Sequence, residues 1–288
     1  MSHPELTLLS PPYDRLAPIE VTQDVVRRCA RSPGSALLWN LEDVRRHQVV
    51  REVVGARPGG LALVVVLPTP TDIERLPEVV HAVQRCRPHG LMPRHDGIAV
   101  ADVAAVLRRP PLDLPSEVTD YLAWRGLVVD RDTTHLLRRI IELSAELRTI
   151  TALSRSLYLS RRALGRRLLT RGLPVPSHWL QLGRILRVST RLQNTEVSVS
   201  ALAYEEGYPD GFSLSNQMHR LIGVRPSQVR DHLGWEWILE AWLRREAESG
   251  GLAPRAADEI NAGARTGTVP MILPAVHRGR PGRRISPT

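Results

Sequence analysis

The sequence predicts an α/β domain followed by an all-α domain. Over residues 19–112, short β-branched apolar runs alternate with segments of helical spacing, the pattern of a parallel sheet covered by helices. From about residue 113 onward no such strand run recurs, and Ser, Asp and Pro open one short amphipathic segment after another. A hydrophobic content of 42% over 288 residues supports two packed domains rather than a disordered chain.

Residues 1–18, rich in Pro and polar side chains, read as a loose arm. Val21 to Ala30 has the spacing of a short helix. Ala36 to Leu41 is an apolar run of strand length, and Leu61 to Leu67, bounded by Gly-Gly and Pro, is the clearest strand. Between them Val44 to Val54 has helical spacing. Asp72 to Arg85 reads as a helix after an Asp cap, Gly90 to Met92 as a short strand, and Ile98 to Arg109 as a helix.

This alternation resembles the later half of a response-regulator receiver domain. In that family the strand corresponding to 36–41 ends in a phosphate-accepting Asp, the next ends near a Thr, and a Lys follows the last. Here Asn40, Thr69 and Pro93-Arg94 stand in those neighbourhoods. An amide cannot form an acyl phosphate, so the resemblance implies a degenerate receiver-like parallel sheet without a phosphoacceptor.

Pro110, Pro111 and Pro115 mark a break. Two connecting helices follow within 113–148: Ser116 to Arg125, and Thr133 to Arg148 capped by Asp132. The second has an apolar stripe of Leu136, Ile140, Leu143 and Leu147. Thr151 to Leu157 and the segment capped by Ser160 form two short helices joined by a tight turn, a helix-turn-helix. A longer helix runs from Ser177 to Gln193, with Trp179, Leu182 and Leu186 on one face and Arg184, Arg187 and Arg191 on another. Ser198 to Arg230 holds a second helix-turn-helix. Its first helix ends at Gly207, Asp210 caps the next, and Pro226 opens another short helix. Residues 235–249 form an amphipathic helix with three Trp, suited to domain packing or to a partner surface. Residues 250–288 read as a disordered basic tail.

Two helix-turn-helix units joined by one long helix resemble the AraC/XylS-type DNA-binding domain of bacterial transcription regulators over about 135–232, and the double helix-turn-helix domain is expected at 149–234. Ser160, Leu164, Arg166 and Leu168 carry the likeness in the first unit. Trp179-Leu180, Arg184-Ile185 and Leu192 carry it in the linking helix. Val199, Leu202-Ala203, Gly207-Tyr208, Asp210, Leu214, Met218, Gly223, Pro226-Ser227 and Arg230 carry it in the second unit. Phe212, Asn216, His219 and Arg225 depart from the usual residues, and Gly172 falls one position early. The apolar frame is kept and the outward chemistry differs, so the operator preference is this chain's own.

The resemblance implies a sequence-specific, non-enzymatic regulator that reads two successive major-groove segments of double-stranded DNA. Arg162 and Arg166 suit guanine edges or phosphates, Asn216 and Gln217 suit adenine, and Phe212 suits a thymine methyl. Ser213 can bond a phosphate or base, with Arg161 in the exposed first turn. Arg155, Arg187 and Arg191 are expected to add salt-sensitive phosphate contacts. Arg184 and Phe212 carry the alternative of internal packing. RNA polymerase or a second copy of the chain are further expected partners. The competing reading is a protein-interaction module with residual DNA binding.

Charge agrees with an anionic partner. The net charge is +9, and all 39 basic residues are Arg. Residues 151–192 hold nine Arg and no Asp or Glu, whereas a solvated face normally mixes both signs. Two cysteines, Cys29 and Cys86, are too few for a disulfide scaffold and fit a cytoplasmic protein. No apolar run is long enough to span a bilayer. His81, His89 and His95 lack metal-ligand spacing, and no catalytic constellation or Gly-rich phosphate loop is visible, so neither cofactor nor metal is expected.

Overall fold

The computed structural model describes residues 5–10, 15–20, 35–41, 48–55, 57, 61–68, 76–95, 97–127, 129–231 and 234–262. Expectations for Val21–Ala30, Cys29, Thr69 and the Asp72 cap lie outside them.

The N-terminal sheet contains β1 (Leu6–Leu9), β2 (Leu16–Pro18), β3 (Ala36–Asn40), β4 (Ala62–Leu67) and β5 (Gly90–Pro93), in the order β2-β1-β3-β4-β5. Strands β3, β4 and β5 are parallel, with Leu38 opposite Val64 and Val65 opposite Leu91. β1 runs antiparallel to both β2 and β3. The sheet is therefore mixed, which corrects the all-parallel expectation, and residues 6–9 and 16–18 are strands rather than a loose arm. The link between β1 and β2 is too short for the crossover that a parallel pair requires, so the chain can only turn back as a hairpin. Leu6 and Leu9 enter the core with no exposed surface.

Both faces of the sheet are covered. Helices α1 (Gln48–Gly55) and α2 (Leu76–Cys86) pack Val50, Val54, Ala82 and Cys86 against Leu37, Trp39, Leu63 and Val65. On the other face, α3 (Val100–Leu107) packs Val103 and Leu107 against Leu38, Val64, Val66 and Met92. A strand buried on both faces has no polar side to alternate, which explains the continuous runs in β3 and β4. The Asn40 N–H, at the end of β3, donates to the Glu5 carbonyl at 2.9 Å. Arg57, fully buried, donates to the carbonyls of Val54, Leu61, Cys86 and Arg87 and so joins the ends of α1 and α2 to the start of β4. Burial lowers its pKa to about 9.

Ten helices follow among the described residues: α4 (Leu114–Trp124), α5 (Arg131–Leu143), α6 (Ile150–Ser156), α7 (Arg161–Leu169), α8 (Pro176–Asn194), α9 (Val199–Glu205), α10 (Gly211–Ile222), α11 (Pro226–Asp231), α12 (Trp235–Glu248) and α13 (Pro254–Ala262). They share one core, and α8 runs through it with Trp179, Leu182, Ile185, Leu186 and Val188 all without exposed surface. Asp130, not Asp132, caps α5: its carboxylate accepts the Thr133 N–H at 2.9 Å. Desolvation pushes this carboxyl up, but the Thr133 hydrogen bonds and Arg171 outweigh it and hold the group below its usual range.

Residues 254–262 correct the expectation of a tail beginning at 250. They form α13, which buries Ala256 and Ile260; Pro254 opens the helix, where its missing N–H costs nothing. Residues 263–288 lie outside the described part. The α12 helix is anchored on α4 by a buried ion pair. Glu240 receives Arg125 through Nε and Nη2, both at 2.9 Å, and the Tyr121 hydroxyl at 3.0 Å. Arg87 donates to the Asp120 carbonyl, and Asn194 Nδ2 donates to the Arg108 carbonyl at 2.9 Å, joining the two halves of the chain. No helix among the described residues is long and apolar enough to cross a membrane.

Candidate nucleic-acid interface

The segments 149–169 and 198–222 are built alike. In the first, the Thr149 hydroxyl caps α6 by accepting the Ala152 N–H at 3.2 Å, and Leu153 is buried. The chain reverses at Tyr158, with φ of 53°, and Ser160 caps α7 through the Ala163 N–H at 3.1 Å. In the second, Ser198 caps α9 through the Ala201 N–H at 3.1 Å, and Leu202 and Ala203 are buried. Gly207 makes the reversal at φ of 72°, and Asp210 caps α10 through the Ser213 N–H at 2.6 Å. That backbone hydrogen bond, with the Ser213 side chain, lowers the Asp210 pKa. Leu164 and Leu168 hold α7 to the core as Leu214 and Met218 hold α10.

Superimposing the two caps, Ser160 on Asp210, pairs the outward positions. Arg162 matches Phe212, Arg166 matches Asn216, and Arg167 matches Gln217. The first helix thus offers cations where the second offers a ring and amides.

Arg155, Arg161, Arg162 and Arg166 are exposed, as is Arg167, and their side chains make no hydrogen bond or ion pair with a described residue. One-signed guanidinium groups left unneutralised are the chemistry that binds phosphate or the guanine edge. Phe212 is 73% exposed, so the core alternative for it does not hold. Asn216 is exposed, while Ser213 and Gln217 are half-buried, and Gln217 Oε1 accepts Arg220 Nη2 at 3.1 Å.

The arginines of α8 are placed differently from the sequence expectation. Arg187 donates to the Ile141 carbonyl at 2.7 Å, to the Gly183 carbonyl at 3.0 Å and to Ser144 Oγ, which ties α8 to the end of α5. Arg191 pairs with Glu205 at 2.5 Å and lies 3.9 Å from Glu206. Arg184 is buried, donates to the Glu206 carbonyl at 2.6 Å and lies 4.2 Å from the Tyr208 ring centroid. Desolvation lowers the pKa of both Arg184 and Arg187. These side chains staple α8 to α5 and α9, so Arg187 and Arg191, expected as phosphate contacts, already have partners within the fold. Apart from Ser144 Oγ and the Gly183 carbonyl within α8, their acceptors are the Ile141 and Glu206 carbonyls at helix C-terminal ends and two glutamates beyond residue 192. Such groups attract cations, but a count restricted to 151–192 does not contain them.

Residues 153–232 match the family model described as a helix-turn-helix domain. The C-terminal half of the chain therefore carries a helix-turn-helix domain. No curated protein and no solved structure matches the chain. The matched segment runs from the buried turn of α6 to the end of α11 and contains both units and the linking helix; α12 and α13 lie beyond it.

Two features of this domain escaped sequence reasoning. Tyr158 holds a left-handed backbone at 96% exposure, at the position that Gly207 occupies in the second unit. Aligning the caps of the first helices, Thr149 on Ser198, gives this pairing, whereas aligning Ser160 on Asp210 shifts it by one residue. The three Trp of 235–249 signal that α12 packs, but not which units it meets, and α13 reads in the sequence as part of a tail. Elsewhere, His89 Nδ1 accepts the Leu63 N–H at 3.1 Å. Among the described residues no group of three or more His, Cys, Asp or Glu could hold a metal ion.

Proposed function

We propose that the protein is an AraC-type transcription regulator that binds double-stranded DNA with α7 and α10 in successive major-groove segments. The observation that carries this is the pair of equivalent helices, each held by a capped N-terminus and buried side chains at matching positions, presenting Arg162 and Arg166 on α7 and Phe212 and Asn216 on α10 outward at the same positions. The α8 helix of 19 residues spans about 28 Å at 1.5 Å per residue, comparable with the roughly 34 Å between successive groove segments on one side of the duplex. Arg162 and Arg166 supply guanine or phosphate contacts from α7, with Arg155 and Arg161 adding phosphate contacts. Phe212, Ser213, Asn216 and Gln217 supply the second segment's selectivity. The N-terminal α/β domain is a regulatory or docking element without phosphoacceptor chemistry at Asn40.

The test is selection of duplexes from a random pool by the full chain, followed by binding measurements at several salt concentrations. An enriched bipartite sequence is expected. If Arg162 and Arg166 meet phosphates, their replacement by Ala flattens the log–log salt slope by about 2; if they meet guanines, discrimination at those positions falls about tenfold or more for each. Binding that enriches no sequence and responds to neither substitution contradicts the proposal.

A further inference from the structure

The chain beyond the matched segment touches both reading units and the helix that links them, through adjacent residues of α12 and through Ala253 after it. On the second unit's side, Arg245 Nη2 donates to the His219 carbonyl at 3.0 Å, in the last turn of α10. A Cβ built on Gly223, which ends α10 in a left-handed conformation, would lie only 3.5 Å from that guanidinium. On the other side, the Glu246 carboxylate, 5% exposed, pairs with His178 Nδ1 at 2.9 Å in the first turn of α8. Trp242, one turn earlier, packs edge-to-face on Trp179 with ring centroids 4.7 Å apart. After α12 the chain reaches the first unit. The Ala253 N–H donates to the Gly172 carbonyl at 2.8 Å, and a Cβ on Gly172 would fall 2.4 Å from that of Ala253. Gly172 lies in the turn that follows α7.

The α12 helix is itself held at its middle by Glu240 against Arg125 and Tyr121. It is thus a strut fixed to α4, touching the end of α10, the start of α8 and, through residue 253, the turn after α7. Two helix-turn-helix units joined by one helix retain freedom at the bends at either end of that helix. Contacts from a third element to both units remove it.

We infer that α12 and the link through Ala253 that follows it set the separation and angle of α7 and α10, with Arg245 and Glu246 as the positioning residues. This rests on the proposed DNA reading. A rigid pair of reading helices binds two segments at one spacing with the orientational cost already met, as in any linked pair of sites. A loosened pair accepts several spacings and binds the best one less tightly. Neither Arg245 nor Glu246 lies on α7 or α10, and duplexes with one segment scrambled separate an effect of geometry from one of the exposed Arg245 charge.

The experiment uses the full chain and a bipartite duplex selected by the wild-type protein, together with versions carrying one or two extra base pairs between the segments and versions with either segment scrambled. Arg245→Ala, Glu246→Gln and the double variant are compared with wild type, and Arg245→Lys tests rescue of the carbonyl contact. Wild type is expected to lose tenfold or more in affinity on a one-pair insertion. The double variant is expected to bind the original duplex about tenfold more weakly, to change less than threefold across the insertions, and to bind each single-segment duplex as wild type does. Equal weakening on single-segment and bipartite duplexes, or spacing discrimination as sharp as that of wild type, overturns the inference. So does a double variant that fails to fold by circular dichroism while the milder Glu246→Gln folds and keeps the wild-type spacing response. Failure of wild type to select any duplex overturns the DNA reading itself and is seen before a variant is made.

Discussion

The Arg125–Glu240 pair supplies a quantitative test of how α12 is fixed. The Arg125 side chain has no exposed surface and that of Glu240 is 2% exposed. Glu240 accepts three short hydrogen bonds, two from Arg125 and one from Tyr121. Burial and the neighbouring Glu240 carboxylate push the Tyr121 hydroxyl well above its usual pKa, so it remains a donor. Glu240→Ala leaves the guanidinium with the Ile260 carbonyl at 3.5 Å as a weak remaining acceptor, and leaves the Tyr121 hydroxyl without Glu240. Breaking a buried pair from one side costs about 3–5 kcal/mol. That is a large share of the roughly 5–15 kcal/mol that stabilises a typical domain. Replacing both partners, as in Arg125→Met with Glu240→Leu, removes the buried charges together and is expected to cost far less than the sum of the single changes. Urea unfolding followed by tryptophan fluorescence measures all four corners of the cycle, with Trp242 buried in α12 as a nearby reporter. A Glu240→Ala cost below about 1 kcal/mol, or a double variant that costs the full sum, refutes the pair as the anchor of α12.

Three other outcomes follow from single positions. Phe212→Ala removes a ring that is 73% exposed, so stability should change by less than about 0.5 kcal/mol while the selected sequence changes at one position; a large drop in melting temperature would mean the ring packs. Tyr158→Gly relieves a left-handed backbone in a residue with a Cβ and should stabilise the fold by about 1 kcal/mol, read as a raised melting temperature; a lowered one would mean the exposed ring contributes more than the backbone strain costs. The Glu246 hydrogen bond raises the His178 pKa. The folded state therefore holds that proton more tightly, and the stabilisation is complete below the ordinary histidine value and lost as pH rises through the higher folded value. Wild type should lose stability relative to His178→Gln as pH rises above the ordinary histidine value of about 6.5, and parallel profiles for the two proteins would contradict this.

Most of the helical domain was legible in local sequence because its signals act over a few residues. Ser160, Ser198 and Asp210 bond to N–H groups three positions on, and Gly207 and Gly223 need only their own backbone freedom. Leu164 with Leu168, and Leu214 with Met218, follow from helical period. In the α/β domain, β3 and β4 were legible as short runs buried on both faces. The exposed cations of α7 followed from the same periodicity, since positions that flank buried leucines face away from them.

Tertiary structure decided what depends on partners distant in the chain. The direction of β1 was set by its pairing with β2 and β3, and a Pro-rich neighbourhood hid its apolar residues. The sequence could show that Arg187 and Arg191 share a face of α8, but not that this face meets carbonyls near residue 141 and carboxylates near residue 205. Charge counted along a chain measures what a segment carries. Whether that charge is available to DNA depends on the groups that folding places beside it: the arginines of α7 meet no partner among the described residues, whereas Arg184 and Arg187 bond to backbone carbonyls and Arg191 pairs with Glu205 at the surface.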